Sequence, residues 1–421
     1  MRKSQARFPH LEIFFIFLKL GCISFGGPAA HLVFFHQKFV KQLKWMTESE
    51  YAQMVALAQI LPGPSSSQVG IAIGYLHQGY RGSISAWLGF TLPSFIFMTL
   101  AAMLGQYFIQ YLSAQFFHAI HLIVLAIVIW AFWQMLQSFC KEIWQYILML
   151  CSAFFIYSSS LDYNQVILIV CAGIVGLLFS SKPNLKKSKR SNAKNILAKS
   201  QNSGLPEETE LKVQPLKVKK NKAYLWLLLF VLPFLITPII QNYAPSELAQ
   251  SIQGFYQSAS MVFGGGHIIL PLLYQDFVST GLISNQQFDL GYAIAQLMPG
   301  PLFSFASYLG ALLNFTDSMF VNAMIATVII FLPSFFLIWG TLPYWTWLMR
   351  QHKISQAVMG INAAVSGLLL CLVIQMSEKS VLSWMDVIFV GLVICLFKTK
   401  LPIAMTLLMS FFVYYGILLF F

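Results

Sequence analysis

Charge is scarce in this chain. Only 10% of its 421 residues are Asp, Glu, Lys or Arg, where a soluble domain carries about 25%. Catalytic signatures are missing too. There is no Walker loop, no dinucleotide-binding glycine pattern and no His-Glu-x-x-His, so neither a nucleotide-driven pump nor an enzyme is expected. Ser65, Ser66 and Ser67 form a hydroxyl cluster, but the sequence supplies no base and orienting acid beside them. His118 and His121 share a helix face without carboxylates at ligand spacing, which argues against a metal site. Cysteine is also sparse. The six residues (Cys22, Cys140, Cys151, Cys171, Cys371 and Cys395) lie in apolar stretches and form no Cys-x-x-Cys pair. They read as small buried hydrophobes, which excludes a disulfide framework and a metal–thiolate centre. No cofactor is expected.

What the chain has in abundance is apolar sequence. Hydrophobic residues make up 58%, and mean hydropathy is +0.71. Long apolar runs recur at 122–137, 164–180, 223–240, 319–341 and 381–397. Each approaches the length needed to cross a hydrocarbon core of about 30 Å. The expected class is an all-α polytopic membrane protein in a lipid bilayer, and a secreted soluble protein is excluded. The opening Met1-Arg2-Lys3-Ser4-Gln5-Ala6-Arg7 leads directly into helical sequence, with no cleavable leader expected.

The second feature is a repeat. Phe25-Gly26-Gly27-Pro28 and Pro62-Gly63-Pro64 return as Phe263-Gly264-Gly265-Gly266 and Pro299-Gly300-Pro301. Ala-Gln precedes each Pro-Gly-Pro, at 58–59 and 295–296. Leu-Pro-Ser-Phe follows each, at 92–95 and 332–335. Four landmarks in one order at offsets of 237 to 240 mark a duplicated unit. Helix-breaking residues at matching places in two halves of a membrane protein point to a transport site.

The net charge of +12 is concentrated in one place. Residues 182–222 hold twelve Lys or Arg against Glu207, Glu208 and Glu210. This segment reads as a solvated linker held in the cytoplasm by the positive-inside bias, with anionic lipid heads as a minor contact and nucleic acid not expected. With the basic N-terminus also cytoplasmic, the organisation is a first repeat over 1–181, the linker at 182–222, an unmatched helix at 223–244 and a second repeat over 245–421. The unmatched helix carries the chain to the outer side, so the repeats are expected to be inverted about an axis in the membrane plane. Segments 29–43, 65–78 and 267–279 are too short to span and are expected to be half-helices or re-entrant pairs facing the interior.

Pro62-Gly63-Pro64 ends one helix and starts another, placing Ser65, Ser66, Ser67 and Gln68 in a first turn. Such a turn has unpaired N–H groups and a positive dipole end, suited to a small oxyanion. Pro299, Gly300, Pro301 and Ser304 form the matching turn, and Gly26, Gly27, Gly264, Gly265 and Gly266 permit close backbone approach. The alternative is purely structural kinking with close helix contacts. Four groups are candidates for a charge or proton pathway. Lys19 either attracts the anion or snorkels to the interface. Arg81 lies at a turn between helices. His31 and His267 follow the two glycine clusters.

These motifs resemble the long, two-domain type of the bacterial chromate ion transporter family. The matching stretches are Phe17-Leu18-Lys19-Leu20-Gly21, 25–32, Trp45, Tyr51, 58–70, Gly82, Gly89-Phe90 and 92–94. In the second half they are 263–266, 296–301 and Gly360-Ile361-Asn362-Ala363-Ala364-Val365. The resemblance implies secondary active export of chromate across the inner membrane, through two homologous domains of opposite topology, coupled to the membrane potential or a proton gradient. A passive anion channel and a carrier of another oxyanion such as sulfate remain the alternatives, and a second copy of the chain is a candidate partner. The first half departs from the pattern at His118-Ala119-Ile120-His121-Leu122, which lacks the Gly-x-x-Ala-Ala of 360–364.

Overall fold

A computed structural model describes residues 9–159, 164–179, 222–243, 246–263, 269–348, 351–399, 401 and 403–420. Every regular element among them is helical. The linker, Gly264, Gly265, Gly266 and His267 lie outside the described residues.

The first half opens with two helical hairpins. Helix α1 (Pro9–Ile23) breaks at Ser24–Gly26 and returns as α2 (Gly27–Phe35), which continues through a π-helical turn, His36–Gln42. Gly26 and Gly27 adopt φ of 97° and 77°, a region that side chains with a Cβ avoid, and Pro28 then starts α2 without needing an N–H donor. Phe17 packs on Phe35 and Phe39, which fixes the two arms antiparallel. Helix α3 (Glu48–Ile60) begins with a capping box between Thr47 and Glu50 and ends at the first Pro-Gly-Pro. Helix α4 (Ser65–Phe108) leaves that turn and folds back sharply at Gln78–Gly79, where Gly79 has φ 61°. Its arms, 65–77 and 80–108, meet backbone to backbone at Gly74 and Gly82. Helices α5 (Ala114–Phe139), α6 (Ile143–Ser158) and α7 (Asn164–Phe179) complete the half.

The second half repeats this order after α8 (Ala223–Tyr243). Helix α9 (Glu247–Met261) leads to α10 (Ile269–Leu273), with its π-helical turn Tyr274–Val278, and Phe255 against Phe277 fixes the hairpin. Helix α11 (Asn285–Leu297) reaches the second Pro-Gly-Pro, from which a 3₁₀ turn (Leu302–Ser304) and α12 (Phe305–Leu312) return. Helix α13 (Met319–Thr341), the short α14 (Trp345–Leu348), α15 (His352–Ser380), α16 (Trp384–Phe397) and α17 (Ile403–Phe420) follow.

Among the described residues, five helical stretches are long and apolar enough to span a membrane: Ser65–Tyr111, Ala114–Phe139, Ala223–Tyr243, Met319–Tyr344 and Lys353–Ser380. The outward faces of α6, α7, α8, α16 and α17 carry Leu150, Phe154, Ile174, Leu178, Leu228, Ile239, Ile388 and Phe412, all exposed. An apolar belt of this extent is stable only against lipid. Cys22, Cys151, Cys171 and Cys395 sit on that exterior, and only Cys140 and Cys371 are buried, so the expectation of six buried cysteines is corrected. In an apolar surface the thiol meets lipid at little cost, so burial was not required.

The halves exchange elements. Helix α15 of the second half packs on α6 and α7 of the first, while α5 of the first packs on α16 and α17 of the second. A Cβ on Gly360 would enter the carbonyl of Ala172, and one on Gly367 would enter that of Met149. The glycines of α15 are therefore close-contact positions for the helices of the other half.

Candidate functional site

Three of the repeated landmarks, the helix breaks, the Pro-Gly-Pro turns and the Leu-Pro-Ser serines, meet in one place across the two halves. The Gly63 N–H donates to the Val262 carbonyl at 2.7 Å, just before Phe263. The Gly300 N–H donates to the Ser24 carbonyl at 2.9 Å, just before Phe25. Each Pro-Gly-Pro thus docks on the helix break of the other half. The Leu-Pro-Ser serines join the same exchange. Ser94 lies so close to Gly300 that a Cβ there would sit 2.8 Å from its Oγ, and a Cβ on Gly63 would sit 2.9 Å from Ser334 Oγ. Gly63 and Gly300 have φ of 120° and 102°, so glycine is required at both for conformation and for space.

His31 ties the first turn to this joint. Its Nε2 donates to the Ser24 carbonyl at 3.2 Å, and its Nδ1 pairs with Ser66 Oγ at 3.2 Å. A carbonyl only accepts, so Nε2 carries a proton, and in the neutral ring Nδ1 accepts from the serine hydroxyl. Ser24 O therefore receives donors from both halves. Gln68 Nε2 donates to the Pro62 carbonyl at 2.6 Å, bracing the turn, and Ser94 Oγ lies 2.7 Å from Ser304 Oγ across the joint.

Among the described residues, several buried polar atoms here have no partner: Ser24 Oγ, Ser67 Oγ, Gln68 Oε1, Thr91 Oγ1, Gln296 Nε2 and Ser334 Oγ. Buried polar groups are ordinarily satisfied, because an orphan costs about 1–3 kcal/mol. The first-turn amides of α4 add further donors with no carbonyl inside the helix. The space beside them is small. The void against Ser94, Pro299, Gly300, Pro301 and Ser304 is about 10 Å³, the scale of a single water. The void beside Gly300 is too small for a tetrahedral oxyanion in this conformation.

The other sequence candidates fall elsewhere. Lys19 is exposed on α1, and Arg81 is exposed just after the α4 fold-back. A Cβ on Gly27 would meet nothing within 4 Å, so this glycine serves backbone conformation and not close approach. Sequence reasoning missed Ser24, Thr91 and Gln296 as polar lining, and Ser94 and Ser334 as parts of the joint, although the repeated Leu-Pro-Ser was the signal available. It also missed two histidine–carboxylate pairs. His118 Nε2 lies 2.9 Å from Asp386 Oδ1, which also accepts from Tyr414, and His121 Nδ1 pairs with Asp289 Oδ2. Both acids come from the other half, 268 and 168 residues away, where no spacing rule reaches. The segment 118–122 lacks Gly-x-x-Ala-Ala for the same reason: α5 meets α16 and α17 partly through polar side chains.

Two repeats of broken helices, meeting at a buried polar joint inside an apolar belt, define a multi-pass membrane protein of the transporter class. The chromate transporter family model matches residues 11–177 and 249–416, so the chain belongs to the chromate transporter family. Both matched regions exclude the linker and α8. A protein of Synechococcus elongatus described as a probable chromate transport protein is 26% identical over 91% of this chain and 88% of its own length. An uncharacterised transporter of Methanocaldococcus jannaschii is 26% identical over 87% and 84%. A chromate transport protein of Cupriavidus metallidurans is 25% identical over 88% and 83%. No solved structure matches the chain significantly.

Proposed function

We propose that this protein is a secondary transporter that exports chromate across the inner membrane by alternating access, with the joint of the two Pro-Gly-Pro turns as its substrate site. The observation that carries this reading is the reciprocal docking of Gly63 on Val262 and Gly300 on Ser24 among unpartnered hydroxyls and amides. The names of the relatives support the substrate.

In this reading the linker and N-terminus lie in the cytoplasm, α8 carries the chain outward, and the repeats run in opposite senses through the membrane. Rocking one half against the other separates the joint toward one side. The dianion then takes the Gly63 or Gly300 amide from its carbonyl partner, together with the Ser67, Ser334 and Ser24 hydroxyls and the first-turn amides. Neutral donors suffice, because the charge is spread over several dipoles. An interior-negative potential of 100 mV favours expulsion of a dianion by about 4.6 kcal/mol. The closed void at Gly300 speaks for an occluded carrier over a continuous pore.

The test is uptake of labelled chromate into inverted vesicles, with sulfate competition and an uncoupler. Accumulation that collapses with the uncoupler is expected. Sulfate inhibition without chromate accumulation overturns the substrate assignment.

A further inference from the structure

A second polar site lies away from the joint, where α5 of the first half meets α11 and α15 of the second. It is a cavity of about 380 Å³ lined by His121, Tyr274, Ser284, Asn285, Asp289 and Lys379, among others. Lys379 Nζ donates to Tyr274 Oη at 3.2 Å, and Tyr274 donates to Asn285 Oδ1 at 2.5 Å. Among the described residues no carboxylate lies within ion-pair distance of Lys379. Its positive charge faces the cavity, with the Asp289 carboxylate on the same lining but beyond ion-pair distance. Asp289 is 3% exposed, pairs with His121 through Oδ2, and leaves Oδ1 buried without a partner.

The remaining ionisable groups around α11 are otherwise engaged. His118 of α5 pairs with Asp386, which also accepts from Tyr414, Asp276 accepts from Ser258, and Tyr308 of α12 lies along Gly291. The groups facing Asp289 are thus His121, Lys379 and Tyr274.

The duplication offers a comparison within the molecule. At the repeat offset, Asp289 corresponds to Ala52. At offsets of 237 to 240, the positions matching His121 are Val358, Met359, Gly360 and Ile361, and those matching Lys379 are Phe139, Cys140, Lys141 and Glu142. The histidine–carboxylate pair therefore has no counterpart in the other repeat, while a lysine stands within the range that matches Lys379.

We propose that this cavity is a second binding site, which takes a small oxyanion at Lys379 together with one proton on the His121–Asp289 pair. Lys379, the Asn285 amide and the Ser380 hydroxyl supply donors for the anion. A dianion beside the bare Asp289 carboxylate is repelled, and a proton on the pair removes that charge. Anion and proton therefore favour one another reciprocally. Asp289 and Pro299 are ten residues apart, with Asp289 on α11 and Pro299 just beyond its end. About 15 Å of helix thus joins the cavity to the Pro-Gly-Pro joint. This inference rests on the oxyanion reading above.

Calorimetry of the purified full-length chain with chromate tests it. The titrations use an alkaline pH, where chromate is the free dianion, and buffers of differing ionisation heat. About one proton taken up per anion in the proton-linked component is expected of the wild type. D289N should bind the anion without the proton. K379Q, altered at an exposed helix end where folding is not at stake, should weaken that component roughly tenfold or more, and K379R should restore much of it. Wild-type binding without proton uptake, or an unchanged isotherm for K379Q, overturns the proposal. Chromate flux in proteoliposomes with no proton-linked binding removes this site and leaves the transport reading standing. Loss of both flux and binding removes both.

Discussion

Gly63 and Gly27 both occupy positive φ, yet replacing them should have different consequences. Gly63→Ala combines strain at φ 120° with a Cβ 2.6 Å from Gln68 Nε2 and 2.9 Å from Ser334 Oγ. A loss of about 2 kcal/mol or more is expected, with transport falling alongside. Gly27→Ala meets no neighbour and should cost only about 1 kcal/mol of conformational strain. Thermal unfolding of the two purified variants checks the ordering. If Gly27→Ala is the more damaging, the steric account of the joint is wrong. Ser94→Ala strips Ser304 of its hydroxyl partner and should cost about 1 kcal/mol. Gln68→Leu should keep the fold less stable by a similar amount and abolish chromate flux. Unchanged flux in that variant would remove Gln68 from the site.

At the scale of elements, the glycines of α15 make a sharper prediction than its apolar residues. Gly360→Leu forces a side chain into the backbone of α7 and should destabilise by roughly 1–3 kcal/mol, read by thermal unfolding. The same substitution at Gly391, where a Cβ would meet nothing within 4 Å, should be nearly silent. The helices themselves were legible in advance. Apolar runs set their bodies, and Pro-Gly-Pro and Gly26–Gly27 set several of their ends, while the caps Thr47 and Ser284 emerged only with the structure. The expected half-helices 29–43, 65–78 and 267–279 correspond to Gly27–Gln42, the first arm of α4 and Ile269–Val278. Pairing between elements was not legible. Periodicity shows which face of α5 is apolar, but it does not show that His118 and His121 find their acids on α16 and α11. The repeat pointed to the site's parts, while Ser24 O and Val262 O act through backbone that no residue type announces.

The molecule as a whole is a clasp of two halves. Helix α15 lies against α6 and α7, α5 lies against α16 and α17, and each Pro-Gly-Pro is held by the other half's break. Each half leaves part of its surface to be covered by the other. Residues 1–181 or 223–421 expressed alone should therefore be degraded, while co-expression of the two should restore chromate efflux. Stable accumulation of either fragment by itself would contradict this interlock. The crossed hydrogen bonds have one more consequence. Because Gly63 hangs on Val262 and Gly300 on Ser24, a turn withdraws only by giving up its bond to the other half's break. Under the alternating-access proposal, one side of the seam stays bonded while the other parts. The membrane's stored voltage then finds no path open at both ends.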